Sequence, residues 1–293
     1  MNTITDSMAI AAAPTGAARS IGDILVASGR LSAEDAQRIL QRQQQDKSQF
    51  GDAALALKLL TTDDITFALS KQFDYSYLSE QDTSRSPELV AAYKPFSKVG
   101  ENLRAVRSQL MLRWFNTDPT RKVLALVSPG KGEGRSFIAA NLAIVFSQQG
   151  ERTLLIDGNL RHARQQELFM LGKSAGLSGI LADRAGLEAA LEVPGLPRLK
   201  VLPAGAVPPN PQELLGRPAF GTLLKAAAEQ FDVVIIDTPA GTDFADAEII
   251  ASRAGAAAIV TRKNKSLLPN AALLARRLQD SGVVLVGSIL NDD

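Results

Sequence analysis

The chain has 293 residues and a formal net charge of +1, and 45% of its residues are hydrophobic while 22% are charged. These values are typical of a globular protein with one or two domains, and they give no electrostatic reason to expect nucleic-acid binding. The sequence contains no cysteine and one histidine, His162, which excludes disulfides, iron–sulfur clusters, thiol catalysis and a histidine-based metal site.

Residues 1–18 are predicted to be a disordered lead, because their small and polar side chains can bury little surface. This stretch lacks the basic region and the long apolar core of a signal peptide. No later apolar run reaches the ~20 residues that a membrane-spanning helix needs. The sequence therefore predicts a cytoplasmic protein.

An internal repeat predicts a small helical domain over residues 19–78. The segment 21–43, IGDILVASGRLSAEDAQRILQRQ, recurs at 50–72 as FGDAALALKLLTTDDITFALSKQ. Each copy is typical of a short helix, a turn, a capping Ser32 or Thr61 with an acid three residues later, and an amphipathic second helix. The apolar stripes of two such units can pack together, which favours a packing or docking module.

A polar, turn-rich segment then predicts a linker over 79–94, and a second domain follows over 95–293. After a predicted helix at 101–114, apolar strands alternate with helices. The predicted strands lie at 124–127, 153–156, 200–203, 233–237, 256–260 and 283–290. The predicted helices lie at 135–149, 220–230, 245–253 and 270–280. This alternation predicts an α/β fold, a parallel sheet covered by helices on both faces.

A glycine-rich turn joins the first predicted strand to the first long helix, in the segment SPGKGEGRSFIAANLA at 128–143. Such a turn lets backbone N–H groups approach phosphate oxygens, and the helix N-terminus favours negative charge. Ser136 stands where a hydroxyl would bind Mg²⁺. The alternative is a plain glycine-rich turn. The residues expected to bind a nucleotide are Gly130, Lys131, Gly132, Glu133, Gly134, Arg135, Ser136 and Phe137.

Two aspartates end predicted strands, Asp157 in TLLID and Asp237 in VVIID. Because the carboxyl ends of parallel strands meet at one edge of a sheet, both carboxylates are expected beside the phosphate loop. One carboxylate can hold Mg²⁺ or its waters, and a second can orient a nucleophile. Either aspartate alone would also suit a helix cap, but their combination with the loop favours the functional interpretation.

Further motifs follow in order along the second domain. They are GERTLLIDGNLR at 150–161, GLSGIL at 176–181, VLPAGAVPPNPQELL at 201–215 and FDVVIIDTPA at 231–240. With the loop, they resemble the bacterial tyrosine kinases of capsule and exopolysaccharide assembly, within the P-loop NTPases that have deviant Walker motifs. The resemblance covers residues 95–291.

This resemblance implies a kinase that uses ATP and Mg²⁺. Ser136 and Asp237 would hold the metal, Asp157 would assist the acceptor hydroxyl, and Arg135 would occupy the position of the catalytic lysine. The family also implies a membrane partner, a chain-length or polysaccharide co-polymerase-type adaptor that recruits the kinase to the inner membrane. Two alternatives from other classes stay open: a non-catalytic ATP-dependent oligomerisation switch, and a positioning ATPase that hydrolyses ATP to water.

The sequence departs from the family pattern in several places. Arg135 replaces a lysine, and an arginine is longer and planar rather than a compact point charge. Lys131 lies one position away from the signature lysine, and Asn159 replaces the second acidic residue of the Walker A′ motif. The C-terminal tyrosine cluster is missing. The tyrosines of the sequence are Tyr75, Tyr77 and Tyr93.

Glu101, Arg104 and Arg107 fit the ExxRxxR motif that builds ring oligomers in this family. A spacing of three places these side chains along one face of a helix. The resemblance implies a contact between subunits at this face. The alternative is a solvated stripe with ion pairs inside the helix.

The N-terminal repeat resembles the N-terminal domain of type II secretion ATPases, some of which bind cyclic di-GMP. Copies of that domain open with Arg-Leu-Gly, whereas the copies here open with SIG at 20–22 and QFG at 49–51. The arginine that could contact guanine is absent from both. A role in protein docking is therefore favoured over binding of cyclic di-GMP.

Overall fold

The computed structural model describes residues 20–72, 76–79, 82–241 and 244–292. The chain divides into two units between Tyr75 and Ser76. The predicted lead over 1–18 lies outside the described residues. Among the helices of the described ranges, none combines the length and the apolar character that crossing a bilayer requires.

The smaller unit consists of helices that follow the sequence repeat. They are α1 (Ile21–Ala27), α2 (Ala33–Asp46), α3 (Phe50–Ala56) and α4 (Thr62–Gln72). The Ser32 hydroxyl accepts the Asp35 N–H at 3.0 Å, and the Thr61 hydroxyl accepts the Asp64 N–H at 3.2 Å. These bonds satisfy free N–H groups at the starts of α2 and α4. The unit has its own core, which includes Leu25, Ile39, Ala54 and Ala68.

A sheet runs through the larger unit. Its strands are β1 (Val123–Val127), β2 (Thr153–Asp157), β3 (Leu191–Val193), β4 (Leu196–Leu202), β5 (Val233–Asp237), β6 (Ala256–Arg262) and β7 (Val284–Asn291). The order across the sheet is β3-β4-β2-β5-β1-β6-β7. All neighbouring pairs are parallel except β3 with β4. The predicted parallel sheet is confirmed, and the short β3 was missed because three residues carry almost no apolar pattern.

Helices cover both faces of this sheet. They are α5 (Val90–Tyr93), α6 (Lys98–Arg113), α7 (Arg135–Gln148), α8 (Gln165–Leu168), α9 (Gly176–Leu181), α10 (Pro211–Gly216), α11 (Pro218–Gln230), α12 (Asp246–Ala254) and α13 (Leu268–Asp280). Successive residues of β1 face opposite sides: Leu124 and Leu126 join the core beneath α6 and α7, whereas Ala125 and Val127 join the core beneath α11, α12 and α13. The α/β prediction with two covered faces is thereby confirmed.

The described part of residues 76–94 packs into the larger unit, and we call it the strap (76–79 and 82–94). Its buried side chains are Leu78, Leu89, Ala91, Ala92 and Tyr93, all within the core that contains α7. The predicted linker over 79–94 was therefore wrong in its described part. Polar residues dominate the composition of this segment, but its few apolar residues face the core, so composition alone gave the wrong prediction.

Two amides of α7 hold the strap. Asn141 accepts the Ala91 N–H on its Oδ1 at 2.8 Å and donates from Nδ2 to the Glu88 carbonyl at 2.9 Å. Gln148 donates from Nε2 to the carbonyls of Ser76 and Ala91, at 2.8 and 2.9 Å. Since α7 is the helix that follows the glycine-rich turn, the strap is attached to the element that forms the candidate site.

Candidate active site

The glycine-rich turn between β1 and α7 has the backbone of a phosphate-binding loop. Gly132 and Gly134 have φ angles of +68° and +84°, a left-handed region that glycine enters without strain. Helix α7 begins directly after Gly134. Its first turn therefore offers N–H groups that have no partner within the helix, together with the positive end of the helix dipole.

Glu133 braces this loop from within. Its Oε2 accepts the Gly130 N–H at 2.7 Å, and its Oε1 accepts the hydroxyl proton of Ser266. The side chain is buried. The Glu133 carboxylate therefore fixes the curvature of the loop, and the predicted part of Glu133 in nucleotide binding stays a prediction.

Two cations at and just after the end of β6 also reach the loop. The Arg262 guanidinium and the Lys265 ammonium donate to the Gly132 carbonyl, at 3.2 and 3.1 Å. Lys131 lies on the exposed side of the loop. Positive charge therefore surrounds the loop, which suits a polyanionic ligand.

Asp157 and Asp237 lie side by side, as the sequence predicted. They are register partners at the ends of the adjacent parallel strands β2 and β5, and both are fully buried. Asp157 accepts three backbone N–H groups, from Asn159 at 3.1 Å, Arg164 at 2.8 Å and Gln165 at 2.9 Å.

The environment of Asp157 raises its pKa to about 7. Burial is the largest cause, because it penalises the charged form, and the negative charge of Asp237 adds to it. The three backbone donors act in the opposite direction. A carboxyl group with this pKa exchanges its proton near neutral pH, as a general base requires.

Arg135 points toward the strand end rather than along the loop. Its Nε donates to Asp237 Oδ1 at 3.1 Å, and its Nη1 donates to the Ser128 hydroxyl at 2.6 Å. The Arg135 side chain is 9% exposed and that of Asp237 is 0% exposed. The ion pair is therefore buried, and the cation at the lysine position is held by the carboxylate that was predicted to bind metal.

Gln165 contacts the same carboxylate from the other side. Its Nε2 donates to Asp237 Oδ2 at 2.8 Å and to the Ser136 carbonyl at 3.1 Å. Within the described part of the chain, the buried Gln165 Oε1 has no hydrogen-bond donor. Gln165 was not predicted, since a glutamine eight positions after Asp157 belongs to no motif.

A cavity of about 540 Å³ opens at this edge of the sheet. The predicted residues from Lys131 to Phe137 line it, together with Asn159. Gly130, Asp157 and Asp237 do not line it, and Asp237 is connected to the cavity through Arg135. The predicted residues from Lys131 to Phe137 therefore surround the opening. The predicted residues Gly130, Asp157 and Asp237 lie beneath it.

Two further arginines line the cavity and were not predicted. The Arg161 guanidinium lies 3.8 Å from the centre of the Phe244 ring and pairs with the buried Asp246 at 2.7 Å. Arg164 pairs with Glu88 of the strap at 2.6 Å. Both arginines follow Asp157 within seven positions, and cations so close to a strand end could have indicated this part of the site.

The residues present fit a Mg²⁺–nucleotide complex. Mg²⁺ in such sites keeps several waters and uses one or two protein oxygens besides the phosphates, so it needs no cage of protein ligands. Accordingly, the absence of any group of three or more His, Cys, Asp or Glu among the described residues does not count against it. A hydrated cation could use oxygen ligands from Asp237 and the Ser136 hydroxyl. The buried Gln165 Oε1 offers an acceptor for one of its waters.

Comparisons with known proteins agree with this geometry. No family model matches the sequence. Tyrosine-protein kinase YwqD of Bacillus subtilis is 34% identical over 203 residues, which are 69% of this chain and 85% of that protein. Tyrosine-protein kinase wzc of Salmonella typhimurium is 33% identical over 207 residues, which are 71% of this chain but only 28% of that larger protein.

Solved structures show the same relationship. The kinase domain of Escherichia coli tyrosine kinase ETK aligns with a TM-score of 0.68 and 30% identity, over 74% of this chain and 84% of that one. The septum site-determining protein MinD of Pyrococcus horikoshii, solved with Mg-ADP, aligns with a TM-score of 0.52 and 26% identity over 58% of this chain and 70% of that one. The chain therefore belongs to the bacterial tyrosine-protein kinase family, as its motif order predicted.

Proposed function

We propose that this protein binds ATP with Mg²⁺ and transfers the γ-phosphoryl group to a tyrosine hydroxyl, in the assembly of a capsule or exopolysaccharide. The observation that carries the proposal is the pairing of Asp157 with Asp237 at adjacent strand ends, next to a phosphate loop and a basic cavity. The kinases YwqD and wzc, both above 30% identity, support the reaction type.

Each part of the site has a role in this proposal. The loop N–H groups from Lys131 to Phe137 bind the phosphates, and Ser136 and Asp237 hold the metal ion. Bound Mg²⁺ neutralises charge on the phosphoryl oxygens. Asp157, with its pKa raised to about 7, accepts the proton of the acceptor hydroxyl as the new O–P bond forms.

Arg135 takes two positions in the proposed cycle. Without nucleotide it pairs with Asp237. With metal and phosphates bound, Asp237 would hold the metal, and the Arg135 guanidinium would pair with a phosphate through two N–H groups. Arg135 thus supplies the positive charge that a lysine supplies in the family, but it must first leave its pair with Asp237.

The buried Arg135–Asp237 pair also supports one alternative. A cation that must leave a buried carboxylate before metal binds would slow the chemistry more than it slows binding. The alternative that the pair favours is therefore an ATP-dependent oligomerisation switch without phosphoryl transfer. A positioning ATPase, which transfers the phosphoryl group to water, is the other alternative, and the pair gives it no support.

We also propose that a membrane partner, a chain-length or polysaccharide co-polymerase-type adaptor, recruits the kinase to the inner membrane. The protein would also assemble with copies of itself through the face of α6 that carries Glu101, Arg104 and Arg107. Arg104 is used within the chain, since it pairs with Glu101 at 2.6 Å and donates to the Pro95 carbonyl. The Glu101 side chain is 70% exposed, so it is the group of this face best placed to meet a neighbouring subunit.

The test follows labelled ATP with Mg²⁺ in purified protein, measuring phosphotyrosine and free phosphate separately, on the chain itself and on an added tyrosine-containing polymer. A kinase yields phosphotyrosine, and Asp157→Asn should lower its rate by about 100-fold or more. Asp183→Asn, an exposed control, should not. Free phosphate without phosphotyrosine would establish an ATPase instead, and binding without either product would establish the switch. An absence of nucleotide binding would refute the proposal.

A further inference from the structure

We propose that Gln165 is a positioning residue of the Mg·ATP site: its amide nitrogen holds Asp237, and its amide oxygen accepts a hydrogen bond from a water molecule bound to the metal ion. The inference rests on the proposed nucleotide site and adds a residue that neither the motifs nor the family resemblance assigns. Three observations carry it, namely the contacts of Gln165, the orientation of its amide, and the acceptor that these leave over.

The contacts of Gln165 link both strand-end carboxylates. Its backbone N–H donates to Asp157 Oδ2 at 2.9 Å, and its side-chain Nε2 donates to Asp237 Oδ2 at 2.8 Å. The same Nε2 donates to the Ser136 carbonyl, in the first turn of α7, at 3.1 Å. A single fully buried residue therefore fixes the spacing between β2, β5 and the end of the phosphate loop.

The orientation of the amide follows from these partners. Asp237 Oδ2 and the Ser136 carbonyl oxygen are both acceptors, so each requires a donor. Rotating the amide by 180° would place Oε1 against two acceptors. The Nε2 group must therefore face Asp237, and Oε1 must face away from it.

That leaves Oε1 as a buried acceptor with no donor in the described part of the chain. A buried polar atom without a partner costs free energy, and native proteins keep few of them. The Arg135 guanidinium, which shares Asp237 with Gln165, is bonded to Asp237 and Ser128. Nucleotide phosphates at neutral pH present acceptors, so they cannot satisfy a carbonyl oxygen either.

A water bound to Mg²⁺ is the group that fits. Its O–H bonds are polarised by the metal, which makes it a strong donor, and Mg²⁺ in nucleotide sites retains several such waters. Gln165 would thus contribute only when the metal is present. A water that is not bound to the metal is a weaker donor, so Oε1 would stabilise the metal complex selectively.

The experiment measures the dissociation constant of ADP by calorimetry, once with Mg²⁺ and once with EDTA, and takes the ratio of the two as the readout. Gln165→Met keeps the length of the side chain and removes both amide groups. Gln165→Glu keeps an acceptor oxygen, replaces the donating Nε2 with a second acceptor oxygen, and adds negative charge. Gln166→Met, on the same short helix and with only a 3.4 Å contact to the Gly172 carbonyl, is the matched control.

Gln165→Met should reduce the Mg²⁺-dependent gain in ADP affinity by about ten-fold, the size of one lost hydrogen bond to a charged group. Affinity in EDTA should change less than three-fold. Gln165→Glu should change the ratio in the opposite direction, because a carboxylate strengthens binding of a divalent cation and weakens metal-free binding of a phosphate. Gln166→Met should leave the ratio unchanged.

A purely structural role would give equal losses with Mg²⁺ and with EDTA, of the same sign in both variants, and that result would overturn the inference while nucleotide binding stands. If Gln165→Met does not fold, as a thermal melt would report, the Gln165→Glu ratio decides alone. A parent protein that binds no ADP in either buffer would overturn the proposed function and this inference together.

Discussion

The guanidinium of Arg135 and the carboxylate of Asp237 form a buried ion pair, with Nε and Oδ1 3.1 Å apart. The two residues belong to different elements, the start of α7 and the end of β5. The phosphate loop is therefore connected by a charge pair to the end of β5, where we propose that the metal binds. Whatever binds at the loop must compete with this pair or preserve it.

Removal of Arg135 should destabilise the nucleotide-free protein. Arg135→Ala leaves a fully buried carboxylate without its counter-charge, so the free energy of unfolding should fall by about 3–5 kcal/mol. Urea denaturation without nucleotide and Mg²⁺ measures this. Arg276→Ala, on the exposed face of α13, should change stability by less than about 0.5 kcal/mol. Equal stability of the two variants would mean that the pair contributes nothing.

Arg135→Lys should keep ATP affinity within a few-fold and raise the rate of phosphoryl transfer. A lysine ammonium carries the same charge, but it lacks the fork that bonds Asp237 and Ser128 together. Asp237 would then be released to the metal at lower cost. Calorimetry with ATP and single-turnover kinetics check the two statements separately. Slower transfer in Arg135→Lys than in the parent would contradict the proposed release of Asp237.

The raised pKa of Asp157 predicts how stability depends on pH. The folded pKa of about 7 lies above the ordinary 3.8, so the folded state binds a proton that the unfolded state has lost between these values. Stability should therefore fall as pH rises from 4 to 7 and level off above 7. Between pH 5 and 7 the parent should lose about 2 kcal/mol relative to Asp157→Asn.

Urea denaturation at several pH values, in buffer without nucleotide and Mg²⁺, gives this comparison. Asp183→Asn serves as the control, because that side chain is exposed; its pH profile should follow the parent. Parallel profiles for the parent and Asp157→Asn would show that Asp157 keeps an ordinary pKa.

The strap should depend on Asn141. Asn141→Ala removes the acceptor of the buried Ala91 N–H and a donor to the Glu88 carbonyl, and unsatisfied buried groups of this kind cost about 1–3 kcal/mol each. We expect a loss of about 2–4 kcal/mol and faster hydrogen exchange at Ala91. Gln149→Ala, exposed at the end of the same helix, should change neither. Unchanged hydrogen exchange at Ala91 would show that Asn141 does not hold the strap on α7.

Glu101 should decide self-assembly at the face of α6. Glu101→Ala removes an exposed carboxylate while leaving the bond from Arg104 to the Pro95 carbonyl in place, so nucleotide affinity should be unchanged and the oligomer should be lost. Light scattering with ATP and Mg²⁺ measures the molecular mass. Glu229→Ala, exposed on α11, is the control. A monomeric parent, or an equally large Glu101→Ala assembly, would show that this face is a solvated stripe and not a contact between subunits.

The central strands and the phosphate loop could be predicted because their signals are local. A strand such as β5 is a continuous apolar run, and the loop is a run of glycines followed by a helix without breakers. Their chain order then placed Asp157 and Asp237 at one edge of the sheet. The resemblance to a family added the order of motifs.

The remaining features depend on contacts between distant segments, which a single sequence does not encode locally. The strap looked like a linker because its apolar residues are few, although α7 buries them. Arg135 was expected at the position of the catalytic lysine, but nothing near it in sequence indicated its bond to a carboxylate 102 positions later. Gln165 was missed since its importance arises only from the two aspartates that it contacts.

The strap determines where this chain can be cut. The kinase unit suggested by sequence starts at Pro95, but a shortened chain starting there would strip Leu89, Ala92 and Tyr93 from the core and leave the Asn141 and Gln148 amides facing an open groove. Such a fragment would expose apolar surface along α7 and tend to aggregate. A fragment starting at Ser76 keeps these contacts, so the helical repeats can be removed there to ask what they add to the catalytic unit.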